Sequence, residues 1–270
     1  MRVRATEPFG AEVSDVRLDT ASDGVVAALR EETSFRRVLV VREQELGPRT
    51  FADFLSRLGE SMFTEGETPV ADEPRLNLVT NRNRTRPPRS VFHTDTSYVE
   101  RPPAFTALCA VDVPMRGGET LFSDQVRAAR TLPDAARERL AGRTLRHTYT
   151  APGRAEAAAW HPALRRHPLT GETALYLSTP ERCARVSGAD ARTSRRAIQL
   201  LYAHSIRARR ILRHRWREGD VVIWDDRLTL HKADHSAVHG ARAFYRGMVR
   251  GERPLMAGAP VVPLRQKVPA

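Results

Sequence analysis

Short apolar runs with strand spacing outnumber helical stretches along this chain. Residues 9–18 (Phe-Gly-Ala-Glu-Val-Ser-Asp-Val-Arg-Leu) alternate with period two and predict a strand. Residues 37–41 (Arg-Val-Leu-Val-Val) are a continuous β-branched run and predict a buried strand. Further strands are predicted at 75–80, 104–113, 119–122, 145–150, 213–216 and 220–224, the last two around the turn Glu218-Gly219, and at 241–250. Residues 168–177 read as a hairpin with Thr170-Gly171 near its turn. Helices are predicted at Val25 to Glu32, from Pro48 to the stop at Gly59, at 132–140, and at 193–207 with Ile198, Leu201 and Tyr202 on one stripe. Residues 151–166, rich in Ala and Arg, read as an exposed connection. Residues 60–89 are broken by Pro69, Pro74, Pro87 and Pro88. They run straight into the first chemical motif, so they are expected to form an active-site lid. The pattern predicts one domain over 1–270, mainly β with flanking helices: a double-stranded β-helix (jelly-roll) core.

Composition narrows the class. The chain has 270 residues, 41% of them hydrophobic, which is enough for a sizeable core. Only Cys109 and Cys183 are present, the N-terminus has no apolar leader and no run is long enough to span a membrane. A soluble cytoplasmic protein is expected. The formal net charge of +12 invites a nucleic-acid reading. Almost all of the positive charge is Arg, however, spread along the chain among Asp and Glu, with Lys232 and Lys267 the only lysines. Nucleic-acid and membrane partners are therefore not expected, and homo-oligomerisation is left open.

The chemistry starts at Ser90-Val91-Phe92-His93-Thr94-Asp95-Thr96. On an extended segment His93 and Asp95 point to one face and Thr94 to the other. One imidazole and one carboxylate make two-thirds of a 2-His-1-carboxylate facial triad, the ligand set of non-haem Fe(II) oxygenases. The stretch Trp224-Asp225-Asp226-Arg227 leading to His231 offers the third ligand. On the returning strand, Arg242, Phe244, Arg246 and Met248 share one face. An arginine directed into a barrel interior needs an anionic partner, which a dicarboxylate co-substrate would supply. A competing arrangement places His231, His235 and His239 at i, i+4 and i+8, one face of a helix and a zinc site of its own, but the polar run ending at Gly240 argues for a turn.

These residues resemble the taurine dioxygenase / 2,4-dichlorophenoxyacetate dioxygenase family of Fe(II)- and 2-oxoglutarate-dependent oxygenases. The resemblance runs over nearly the whole chain. It rests on Phe9-Gly10-Ala11-Glu12-Val13, Arg37 to Arg42, Phe51 to Gly59, His93-Thr94-Asp95, Gly117-Gly118-Glu119-Thr120, Trp224 to His231, and Arg246. It implies that His93, Asp95 and His231 bind Fe(II), with a small-molecule substrate, 2-oxoglutarate and O2 as co-substrates, and succinate and CO2 as products. It also implies that Arg246 and Thr120 hold the distal carboxylate of 2-oxoglutarate, with Arg242 nearer the metal-chelating end. The carboxylate Asp95 favours hydroxylation of a C–H bond over halogenation, with desaturation, epoxidation or cyclisation as alternative outcomes. Taurine enzymes place His and Tyr roughly where Thr64 and Glu67 stand, so taurine is not the expected substrate. Candidate substrate contacts are Asn81, Arg89 and Thr96, and the cluster Arg82, Arg84, Arg86 and Arg89 hints at an anionic substrate. Two further readings stand beside the oxygenase: a zinc hydrolase built on the histidine ladder, and a basic nucleic-acid-binding protein without catalysis.

Overall fold

A computed structural model describes residues 1–64, 67–82, 90–150, 153 and 155–260. Its centre is a nine-stranded sheet in the order Arg2–Ala5, Ala11–Ser14, Val38–Val41, Val221–Asp225, Pro103–Asp112, Ala243–Arg250, Glu73–Thr80 and Pro69–Val70, with Ser61–Met62 also paired to Ala243–Arg250. Every pairing in it is antiparallel except that of Ala11–Ser14 with Val38–Val41. Strand alternation sends the two faces of this sheet to two different cores. Leu39, Val41, Phe105, Ala107, Val221 and Ile223 pack under the helices Asp23–Arg36 and Pro48–Leu58, against Leu29, Phe51, Phe54 and Leu55. Gly247 lies on this face, and a Cβ there would stand 2.1 Å from Leu55 Cδ1, so the glycine lets the helix come down onto the sheet.

The opposite face, with Val38, Val40, Leu108, Val222, Trp224 and Phe244, meets Phe122 and Leu212 from a second sheet, Ile211–His214, Thr120–Asp124 and Thr229–Ala233. Two sheets facing one another across this apolar layer make the predicted jelly roll. Burial on both faces explains why Val38–Val41 and Val221–Asp225 read as unbroken apolar runs. A second apolar cluster, including Leu145, Leu164, Leu175, Ile198 and Leu201, joins the helices Gln125–Arg130, Asp134–Leu140 and Ala191–Ser205 to two small sheets. No described helix is long and apolar enough to cross a membrane.

The differences from expectation are local. Residues 151–166 were expected as a connection, but Ala157–Pro162 pairs along Thr144–Tyr149 and Leu164–Arg166 pairs with Thr173–Leu175. Ala and Arg have weak strand propensity, and here pairing partners decide instead. The hairpin read at 168–177 therefore begins earlier, with its first strand ahead of the turn. Cys183–Val186 adds an unforeseen strand. Within 60–89, the described part carries three strands rather than one. Arg84, Arg86 and Arg89 lie outside the described residues. The histidine-ladder helix is overturned: His231 sits in the strand Thr229–Ala233, and His239 is exposed in a bridge to Arg116. An extended backbone cannot bring residues i, i+4 and i+8 around one ion.

Candidate active site

The jelly roll brings the two halves of the motif together by backbone pairing. His93 and His231 form an antiparallel bridge, with His93 N donating to His231 O at 3.0 Å and His231 N donating to His93 O at 2.8 Å. The extended stretch around His93 shrinks to this single bridge, because residues 95–98 turn. Thr96 takes a positive φ of 40°, a costly conformation for a branched residue. Its hydroxyl bonds that of Thr64 at 2.9 Å. Thr94 points the other way and donates to Asp226 O at 3.1 Å.

The donor atoms of His93, Asp95 and His231 all lie within 4.8 Å of one another. His93 Nε2 is 3.5 Å from Asp95 Oδ1, and His231 Nε2 is 3.7 Å from Asp95 Oδ2. His93 Nδ1 faces Val91 O at 2.9 Å, which fixes the ring and leaves Nε2 as the ligand atom. Burial pushes the His231 imidazole down to about 3, against the opposing pull of Asp95, so it is neutral. Burial works to raise the Asp95 carboxyl, but His231, Arg246 and His93 outweigh it and hold it far below the usual carboxylate range. Neutral imidazole and ionised carboxylate are the protonation states that metal binding requires. Donor set, spacing and protonation thus fit a divalent metal with open positions.

A buried carboxyl pair underlies Asp95. Burial, then the charge of Asp95, pushes the Asp226 carboxyl well above its ordinary range. Thr106 Oγ1 stands between the two carboxyls, hydrogen-bonded to Asp226 and 3.3 Å from Asp95 Oδ2, and Trp224 Nε1 donates to Asp226 Oδ1 at 3.0 Å. A neutral Asp226 can donate to Thr106 while Thr106 donates to Asp95. Asp226 lies in the Trp224-to-His231 stretch, but its contact with Thr106 spans 120 residues and no local pattern marks it.

Arg242, just ahead of Ala243–Arg250, is buried in the roll and Arg246, within that strand, is largely so, and their order corrects the expectation. Arg246 is at the metal end: its Nη1 is 3.8 Å from Asp95 Oδ1, and its Nη2 bonds Glu67 Oε2 and Asn77 Oδ1. Burial alone would lower Arg246, but Asp95 and Glu67 reverse this and raise it. Arg242 is at the far end, with Nε donating to Gly118 O at 3.2 Å and its guanidinium 4.3 Å from the Phe244 ring centre. The cause is register. Met248 pairs with Thr106, the residue that touches Asp95, while Ala243, next to Arg242, pairs with Asp112 at the other end of the strand. Four strand residues separate the arginines by roughly 13 Å.

Arg242 is 2% exposed, and no carboxylate pairs with it among the described residues. Burial alone lowers it to about 10, so it remains a cation at neutral pH. Thr120 belongs to the same layer of side chains. Its hydroxyl accepts from Trp216 Nε1 at 3.0 Å, and Trp216 packs at a tilt against Phe244 with ring centres 4.4 Å apart. The accepted bond leaves the Thr120 proton free to donate. Asn81 spends its amide on backbone: it donates to Gly240 O at 3.0 Å and accepts from Arg242 N at 2.9 Å. It clamps the strand that carries Arg242 and does not offer a free substrate contact. Arg89 lies outside the described residues.

A jelly roll carrying a His-Asp-His group fit to hold a metal and, deeper in the roll, a buried arginine with no carboxylate partner among the described residues suits a metal-dependent enzyme with an anionic co-substrate. Comparison agrees. The family model described as taurine catabolism dioxygenase TauD, TfdA family, matches residues 2–248, and the chain belongs to this family. It is 29% identical over 269 residues to the alpha-ketoglutarate-dependent sulfate ester dioxygenase of Pseudomonas putida, covering 92% of this chain and 88% of that one. It is 27% identical over 290 residues to the (S)-phenoxypropionate/alpha-ketoglutarate-dioxygenase of Delftia acidovorans, covering 94% and 96%. A taurine dioxygenase structure from Burkholderia xenovorans superposes with a TM-score of 0.85 at 28% identity, covering 96% of this chain and 92% of that one. The protein is thus a 2-oxoglutarate-dependent dioxygenase, an oxidoreductase with 2-oxoglutarate and O2 as co-substrates and a metal requirement.

Proposed function

We propose that this enzyme uses Fe(II), held by His93, Asp95 and His231, to hydroxylate a C–H bond of a small molecule while 2-oxoglutarate is converted to succinate and CO2. The observation that carries the reading is Arg242, a fully buried guanidinium whose only polar partner among the described residues is the Gly118 carbonyl. Isolated buried charge is very costly, and the carboxylate of a bound diacid removes that cost through a charge-assisted contact. Arg242 and Thr120 are assigned to the distal carboxylate of 2-oxoglutarate. Arg246 is assigned to the metal end, where it also sets the charge met by the substrate. The metal, when bound, supplies O2 activation coupled to decarboxylation of the keto acid. The chain's own residues do the rest: Asp95 and His231 stay in ligand-ready protonation states, His93 is oriented through Val91 O, and Thr106 holds Asp95 in place. Of the segment expected as a lid, Ser61–Met62, Pro69–Val70 and Glu73–Thr80 belong to the central sheet, and Glu67, between them, reaches Arg246.

Anaerobic titration tests this. Fe(II) plus 2-oxoglutarate is expected to give a visible charge-transfer band in the wild type and none in His231→Ala. No band in a folded, Fe(II)-loaded wild type would count decisively against the assignment.

A further inference from the structure

The Glu67–Arg246 ion pair bears on the substrate. We propose that Glu67 is a specificity-determining residue that turns the substrate end of the site away from anions and toward organic cations such as alkylammonium groups. The proposal rests on the reading of the site given above.

Arg246 is the guanidinium beside Asp95, and free it would invite a sulfate, sulfonate or carboxylate. It is not free. Its Nη2 is bonded by Glu67 and Asn77, and its Nη1 stands 3.8 Å from Asp95. With Asp95 committed to the metal, Glu67 and Arg246 cancel one another, so the pair offers an oxyanion no free cation. An incoming oxyanion would have to displace Glu67 or be repelled by it. Glu67 is also placed to meet a ligand. Its side chain is 37% exposed, so its carboxylate keeps acceptor capacity beyond the pair with Arg246.

The neighbourhood adds aromatic surface. Tyr98 follows the metal-binding turn and stacks on Tyr149 with ring centres 4.9 Å apart. Burial raises the Tyr98 hydroxyl, Arg182 opposes that rise, and Tyr149 and Glu67 add to it. A carboxylate and aromatic faces together are the chemistry that recognises an organic cation. The opposing element is Arg182, whose guanidinium lies over Tyr149 at 5.0 Å. Any comparison must therefore hold Arg182 constant and change Glu67 alone.

The test uses butylammonium and butanesulfonate, matched in alkyl length, titrated calorimetrically and through the charge-transfer band of the anaerobic Fe(II)–2-oxoglutarate enzyme. Wild type is expected to bind butylammonium about tenfold more tightly than butanesulfonate, and Glu67→Gln to reverse the order. Glu67→Asp, which keeps the charge, should keep the wild-type order, and far-UV circular dichroism reports whether each variant folds. The proposal is overturned if both proteins rank the probes alike, if wild type prefers the sulfonate, or if the ammonium does not bind wild type at all. A wild type with no charge-transfer band would instead remove the underlying assignment of the site, so the two failures are told apart.

Discussion

Arg242 carries its charge in a layer that offers it one carbonyl oxygen and one aromatic face. Such a residue is a burden to the ligand-free fold and an asset to the liganded one. Arg242→Leu is therefore expected to leave the stability of the ligand-free protein unchanged or raise it by about 1–2 kcal/mol. The same change should weaken 2-oxoglutarate binding about a hundredfold with metal content unaltered. Denaturant unfolding, metal analysis and 2-oxoglutarate titration read the three quantities. Lost stability with unchanged 2-oxoglutarate affinity would make Arg242 a structural residue. At this scale the sequence is informative about faces and silent about depth. Period two alone placed His93 with Asp95, and Arg242 with Arg246. Which arginine stood nearer the metal depended on the pairing of Met248 with Thr106, a contact across 142 residues that no local pattern encodes.

At the scale of elements, the turn at Gly117-Gly118 sets where Arg242 can lie. Both glycines have positive φ, +72° and +76°. A Cβ on Gly118 would stand 2.9 Å from Pro114 Cγ and 3.2 Å from Arg242 Cδ. Gly118→Ala thus combines backbone strain with pressure on the arginine, and the turn opens directly into Thr120–Asp124, the strand that carries Thr120. The expected result is about 1–2 kcal/mol of lost stability by thermal or denaturant unfolding, together with about tenfold weaker 2-oxoglutarate binding. A loss of stability without a binding defect would separate the turn from the site. Elements with strong apolar signals, such as Val38–Val41 and Pro48–Leu58, were legible because burial and periodicity agree there. Ala157–Pro162 was not legible, since its alanines carry little strand preference and its pairing partner, Thr144–Tyr149, is what makes it a strand.

Across the whole molecule, the second apolar cluster and its small sheets brace the metal-binding turn through buried polar groups that a sequence cannot mark as buried. His161 lies in Ala157–Pro162, and its Nε2 faces Ser97 O at 2.8 Å and Val99 O at 3.0 Å, just beyond Asp95. His147 packs edge-on against it with ring centres 5.2 Å apart. Burial lowers His161 to about 4 and His147 well below its ordinary value, so both rings are neutral in the folded protein. Burial also lowers His167, His204 and His231. The sign follows from linkage: between roughly pH 6.5 and pH 4 the unfolded chain binds protons that the folded chain refuses, so stability is present above this window and is lost as pH falls through it. In metal-free protein, unfolding near pH 5 should take up at least two protons, a loss of roughly 2–3 kcal/mol per pH unit by denaturant titration. His161→Gln keeps a donor for Ser97 O and Val99 O but cannot titrate, so the slope should fall by about one proton. An unchanged slope would mean that His161 titrates freely and that the bracing module is loosely joined to the roll. A reduced slope, accompanied by metal retention to lower pH than in wild type, would mean that the same buried contacts that close the small sheet also keep Asp95 positioned for its metal.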